Sequence, residues 1–507
     1  MPDGPDRAKA WRKAAALYKV ALEKAPAHDE APEAAIFGAF SYKQVGEYDQ
    51  AIEMYTLFIK EYGSDQKLGE LQAGKPEAKP PVKPQPEKYA ERVKYLKQAY
   101  DALAAAYVLF FNYRSAAETN DTISRNARFE EAARRTAARN AVLLYANIGD
   151  KDKMLAARTT IMTLNPSAEQ KADLDFLVAS ADLKTWDENG PDEGANRGAR
   201  VRAGEQMEVY YSINKNNTAA APYVVQAAYH ASKLRRAGRD AQYREWCKRT
   251  TQAFTTFKNS APIVDGKNSA LQSMQADMAA ECAYRAIDEE LRADFDYDTG
   301  HHRYEGVIDK VKKAFEDDIK KANERYKQLQ DIIVQYESRP WSVAARARQG
   351  SLYDSCRTGL YNARPPGLKL YTEKEEKLLK LAETSDREDL QEAADALRQN
   401  RREAWRAARE RSLAEADQPM VKFYVEAVVW ARAWKVRNPA FDTAIQRLAF
   451  FTDILGDAKL REWSQGIVDP DGKKPFEYRD GVFLRSRPGL TPSLTPDGLP
   501  APLPVLP

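Results

Sequence analysis

Residues 41–55 read Ser41-Tyr42-Lys43-Gln44-Val45-Gly46-Glu47-Tyr48-Asp49-Gln50-Ala51-Ile52-Glu53-Met54-Tyr55, and this stretch decides the fold. Gly46 stands between two segments whose apolar residues recur at three and four. That spacing predicts a helix on each side, about 31–45 and 48–62, with glycine supplying the positive φ that closes the turn between them. Ala51 permits a close crossing of the two helices. Tyr42, Tyr48 and Tyr55 are placed to plug a neighbouring pair.

The same period extends in both directions. An earlier helix is expected at about 6–25, with Trp11, Ala15, Tyr18 and Leu22 on one face. Beyond the pair, helices are expected at about 87–112, 125–147, 151–163 and 168–184. They continue at about 199–214, 221–237, 239–258, 268–292, 303–337, 341–361, 373–388 and 388–412, and close at about 418–436, 440–454 and 457–465. The prolines between Pro76 and Pro86 exclude a regular helix and predict an exposed, semi-extended linker over 71–86. Asn189-Gly190-Pro191 marks a loop over 186–198. Glu477 to Leu484 alternates around Asp480-Gly481, so a small β-hairpin is expected within 466–486. Residues 487–507 read as a proline-rich, polyproline-like tail. The organisation is therefore helices over 1–70, a linker, a second helical block over 87–185, a loop, and a third block over 199–465. The fold class is all-α, a solenoid of helix pairs.

Tyr42, Gly46, Tyr48, Ala51 and Tyr55 fall at the spacings of the tetratricopeptide repeat, which this unit resembles; Phe58 and Gly63 stand where that family prefers Ala and Pro. A second unit is similar through Tyr145, Gly149 and Pro166, with Met154 replacing the small residue. Gly238 suggests a third turn. A fourth unit runs from Tyr326 through Pro340-Trp341 to Gly350 and Tyr353. The stretch Pro340-Trp341-Ser342-Val343-Ala344-Ala345, Gly350-Ser351-Leu352-Tyr353 and Pro365-Pro366-Gly367-Leu368 also resembles repeat-rich cell-envelope proteins of the bacterial gliding-motility apparatus. That resemblance implies a scaffold in the periplasm; a cytoplasmic location is the alternative.

Composition excludes several classes. With 78 basic and 75 acidic residues among 507, a net charge of +3 argues against nucleic-acid binding. Aromatic residues are too many for a disordered chain. No apolar run is long enough for a transmembrane helix, and Met1-Pro2-Asp3-Gly4-Pro5-Asp6 does not begin a signal peptide. Cys247, Cys282 and Cys356 form no CxxC pair; an odd count argues against a full disulfide framework, one bridge stays open, and burial as small apolar residues is the default.

Two constellations merit weighing. Asp294, Asp296, Asp298 and Glu305 stand at positions one, three, five and twelve of a calcium-loop spacing, although Thr299 occupies the position where Gly makes the turn. The same residues also read as a solvated acidic loop between helices. The adjacent His301-His302 offers a transition metal two ligands that diverge on most backbones. Arg398, Arg402, Arg406 and Arg409 share one helix face. They fit a solvated face, contact with an acidic neighbouring helix, or docking of an anionic partner.

There is no Gly-rich phosphate loop and no Ser-His-Asp order, so no enzyme and no cofactor are expected. The expected function is a scaffold that binds protein partners through helical grooves, with Phe37, Phe40, Tyr42 and Lys43 as candidate face residues. The rival expectations are a structural subunit of a stable complex, and a metal-regulated helical module or enzyme using the 294–305 loop.

Overall fold

The computed structural model describes residues 5–235, 240–364 and 367–483. Among them are eighteen α-helices and four strands of two residues each, so the fold is all-α. The chain divides into two compact units, one up to Tyr223 and one from Val224 onward.

The first unit holds α1 (Pro5–Lys24), α2 (Ala31–Gln44), α3 (Tyr48–Glu61), α4 (Asp65–Ala73), α5 (Pro86–Leu109), α6 (Tyr113–Arg125), α7 (Glu131–Asn147), α8 (Lys151–Met162), α9 (Ala168–Ala179) and α10 (Gly194–Asn214). The first turn of α11 (Ala221–Arg235) completes it. Helices adjacent in the chain pack together: α1 on α2, α2 on α3, α5 on α6, α6 on α7, α7 on α8. The reason is visible at α2–α3. Gly46 takes φ 75°, and the Glu47 N–H donates to the Tyr42 carbonyl at 3.0 Å. Helix α3 then buries Ala51, Met54, Tyr55 and Phe58, one face at three-four spacing. The α7–α8 turn repeats the geometry: Gly149 takes φ 73°, the Asp150 N–H donates to the Tyr145 carbonyl at 3.0 Å, and the Asp150 carboxylate caps α8 through the Lys153 N–H. Met154 is buried at the position of the small residue.

The proline-rich stretch after α4 is not extended. Gly74 reverses the chain, and Lys75 and Val82 exchange both backbone hydrogen bonds, at 2.8 and 3.0 Å. The Gln85 N–H then reaches the Leu71 carbonyl at 2.7 Å. The closing residues are those that retain an N–H among the prolines, so a short exposed loop forms where a spacer was expected. Helix α10 begins five residues before the expected start, because Asp187 and Asn196 cross-link the preceding loop through paired hydrogen bonds.

The second unit contains the rest of α11, then α12 (Asp240–Ser260), α13 (Met274–Asp294), α14 (Ile308–Tyr336), α15 (Arg339–Tyr361), α16 (Glu373–Glu383), α17 (Glu388–Trp434) and α18 (Pro439–Trp463). Strands β1 (Ile263–Val264) and β2 (Lys267–Asn268) pair antiparallel across Asp265-Gly266, both at positive φ, and β3 (Gly306–Val307) pairs parallel with β4 (Leu368–Lys369). Helix α15 is the hub. It packs against α13, α14, α17 and α18, and nearly its whole length is buried. Gly350 sits mid-helix, not in a turn: a Cβ there would lie 3.0 Å from the Tyr424 ring, so glycine permits the close crossing of α15 and α17.

Three expectations change here. The two helices expected at 388–412 and 418–436 are one helix of 47 residues that runs through Pro419. Burial of Leu413 and Ala416 before the proline, and of Met420, Val421 and Tyr424 after it, holds both halves on one line and outweighs the lost N–H. Helix α14 starts at Ile308, after a loop. The hairpin expected around Asp480-Gly481 does not form: Phe476, Tyr478 and Phe483 pack on one another, the Tyr478 hydroxyl and the Gly481 N–H both donate to Asp457, and a single bridge joins Val468 to Pro475 across Asp471-Gly472. Gly238, Pro365, Pro366, Leu484 and the 487–507 tail lie outside the described residues. None of the described helices is long and apolar enough to cross a membrane.

Candidate functional site

Helices α1 and α2 enclose a groove of 570 Å³. Alanines 21, 25, 31 and 34 line it, and their short side chains leave the hollow. Tyr18 and Phe37 close one end, ring centroids 6.3 Å apart, and Phe37 meets Tyr95 edge-on at 6.4 Å. Lys24, His28, Glu30 and Glu33 supply polar groups at the other side. The Glu30 N–H donates to His28 Nδ1 at 3.2 Å, which fixes the turn between the helices. Burial, with the carboxylates of Glu33 and Glu91, pushes the Tyr95 hydroxyl up to about 12, so it stays a neutral donor beside the groove.

The expected face residues separate. Phe37 lines the groove with 39% of its surface exposed. Phe40 is also exposed and meets Trp11 edge-on at 5.6 Å. Tyr42 is not on the face: it is buried in the core with Tyr55 and Phe58. Five helical positions from Phe37 rotate it by about 140°, away from the groove. Lys43 is half-buried and lines no part of the groove.

The 294–305 carboxylates do not converge. Asp294 pairs with Arg325 of α14 at 2.6 Å, and both oxygens of Asp296 accept from Arg348 of α15 at 2.9 and 2.8 Å. Asp298 and Glu305 are exposed. Partial burial and the neighbouring Asp296 raise the Asp298 carboxyl above its ordinary range. His302 turns inward to Asp318 at 2.7 Å, which also accepts from the Tyr304 hydroxyl at 3.0 Å, while His301 stays with Thr299. Among the described residues no group of three or more His, Cys, Asp or Glu side chains is arranged to hold a metal ion. Arginines from two other helices thus occupy two of the four carboxylates that the spacing assigned to a cation.

The arginine face of α17 also divides. Arg398 pairs with Glu383 of α16 at 2.8 Å and Asp395 at 2.9 Å, and Arg401 reaches Glu375 of α16 at 2.5 Å. Arg402 and Arg406 are exposed. Arg409 lies 5.6 Å over the Tyr361 ring. At Arg398 the acidic-helix alternative holds, and the four side chains form no single cationic surface.

Sequence reasoning missed the charges buried along α15. Arg348 joins Asp288 at 2.7 Å as well as Asp296, Arg357 joins Asp417 at 2.5 Å, and Asp354 accepts from Arg447 and from the Tyr424 hydroxyl. Arg346 meets Glu426 at 3.2 Å and covers the Trp430 ring at 4.6 Å. Burial disfavours the Arg348 charge, yet Asp296 and Asp288 raise its affinity for the proton above the ordinary arginine value. The sequence signal was charge interleaved with Ala344, Ala345, Ala347 and Leu352, a helix with no polar side to spare. No protein-family profile and no curated protein matches this chain.

Proposed function

We propose that this protein is a non-enzymatic scaffold, an α-solenoid of tetratricopeptide-like helix pairs that binds protein partners in a larger assembly. The α1–α2 groove carries the reading. Its alanine floor, exposed Phe37 and mixed-charge rim suit an extended protein segment that inserts one apolar side chain and hydrogen-bonds at its flanks. The glycine turns at Gly46 and Gly149 support stacked pairs. The likeness of residues 336–370 to gliding-motility envelope scaffolds supports a place in the bacterial cell envelope. The test is co-purification from the native cell with the full chain and with its Phe37→Asp variant. A partner recovered by the wild type, reduced at least about tenfold by Phe37→Asp, and bound as an isolated segment with a Kd on the order of micromolar supports the groove. Equal recovery by both chains removes it.

One observation favours the second reading, a permanent structural subunit. Val108, Leu109, Phe110 and Phe111 are consecutive and exposed at the α5–α6 turn, Phe111 by 78%. A complex that survives dilution in light scattering and is lost on Phe111→Ser, while Phe37→Asp leaves it intact, would replace the groove with this surface.

A further inference from the structure

Two of the three cysteines meet. Cys247 of α12 and Cys282 of α13 belong to one buried cluster with Tyr229 and Tyr243, and both line a cavity of 510 Å³. Ala283, Ala286 and Ala293 on α13 keep the cavity open, and the Arg244–Glu289 pair, 3.0 Å long, ties α12 to α13 beside it. The Ser232 hydroxyl stands 4.0 Å from Cys282 Sγ. Cys356, fully buried on α15, is not among the residues lining the cavity.

We propose that Cys247 and Cys282 form a redox-active dithiol, which small hydroperoxides reach through this cavity and oxidise to a disulfide joining α12 to α13. The roles follow from the surroundings. The neighbouring Cys282 and then Tyr243 hold the Cys247 thiol below its ordinary range, against its burial, while burial and the neighbouring Cys247 keep Cys282 protonated. The Cys247 thiolate attacks the terminal peroxide oxygen. The O–O bond breaks, the leaving alkoxide takes a proton to become the alcohol, and Cys247 becomes a sulfenic acid. Cys282 then gives up its proton, its sulfur attacks the Cys247 sulfur, the S–O bond breaks and water leaves. Two thiols and one hydroperoxide become one disulfide, one alcohol and one water. For hydrogen peroxide the alcohol is a second water. Cys356 is different: burial holds its thiol well above the ordinary range, and it serves as an internal reference.

This inference is independent of the groove on α1 and α2. The experiment uses the full chain in native buffer with hydrogen peroxide as the probe. Free thiols are counted after quenching and denaturation, and disulfide-linked peptides are mapped by mass spectrometry. The expected result is a fall from three thiols to one, with Cys247 linked to Cys282, and with Cys356 consumed at least about tenfold more slowly. Cys282→Ser should leave a sulfenic acid on Cys247 that dimedone traps. Cys247→Ser should consume peroxide no faster than Cys356 does. Equal consumption of all three cysteines, linkage only after denaturation, or no thiol loss would overturn the proposal. The peptide map of the wild type decides it even where a serine variant does not fold.

Discussion

The two units bury different things. Up to Tyr223, buried polar side chains are mostly neutral, and Asp182, paired with Lys151 at 3.0 Å, is the one buried carboxylate among the described residues. From Val224 onward, Arg285, Asp288, Arg346, Arg348, Asp354, Arg357, Asp417 and Arg447 are all buried. The difference tracks connectivity. In the first unit a helix packs chiefly on its neighbours in the chain, and short turns fix its register. In the second, α15 is surrounded not only by its chain neighbour α14 but also by α13, α17 and α18, which are not adjacent to it in the sequence. An apolar helix enclosed on all sides could settle in several registers. Paired charges at fixed positions allow one, at a cost in desolvation.

The largest test of this contrast removes one member of a pair. Arg357→Ala leaves Asp417 buried without its partner and is expected to lower the stability of the second unit by about 3–5 kcal/mol in denaturant unfolding. The double variant Arg357→Met with Asp417→Leu is expected to recover most of that loss, because neither charge remains to be desolvated. A single variant that costs under about 1 kcal/mol would break the comparison.

Alkali is expected to treat the units alike. Burial pushes Tyr55 in the first unit and Tyr336 in the second up to about 12. Both are raised above the unfolded value of 10.0, so the stability they contribute is complete below pH 10 and is lost as pH rises toward 12. Each accounts for on the order of 2–3 kcal/mol across that window. Phenolate absorbance and helical circular dichroism should therefore change together above pH 10. Tyrosines that titrate near 10 with the helices intact would show that neither core is sealed.

Much of this was legible in the residues, and unevenly so. Gly46 and Gly149 were readable as turns because positive φ is a local demand that one residue satisfies. The break near 455 appeared at Gly456 for the same reason. Pro419 misled because its local penalty is outweighed by burial that the chain near it does not reveal. Asp265-Gly266 makes the hairpin that Asp480-Gly481 was expected to make, since both dipeptides favour the turn and only tertiary packing chooses between them. The candidate site was half readable. Phe37 and Phe40 are exposed, while Tyr42 faces the core because rotation about the helix, not residue type, assigns the face. The 294–305 spacing did not reveal that Arg325 and Arg348, which pair with Asp294 and Asp296, lie on later helices.

The smallest effects carry the sharpest distinction, because Gly46 in the first unit and Gly350 in the second serve opposite purposes. Gly46 is needed for its conformation: a Cβ there meets nothing within 4 Å, but φ is 75°. Gly350 is needed for its size: it is helical, and a Cβ would lie 3.0 Å from the Tyr424 ring. Gly46→Ala should therefore cost about 1–2 kcal/mol through backbone strain alone. Gly46→Asn should cost less, because asparagine tolerates the left-handed region. At Gly350 the order inverts. Alanine adds one methyl group against an aromatic ring and should cost about 1–3 kcal/mol, and the bulkier asparagine should cost more. Thermal melts of the four variants read the order directly. If asparagine is the milder substitution at both positions, size does not govern the α15–α17 crossing. If alanine is the milder at both, the Gly46 turn is not held by its φ.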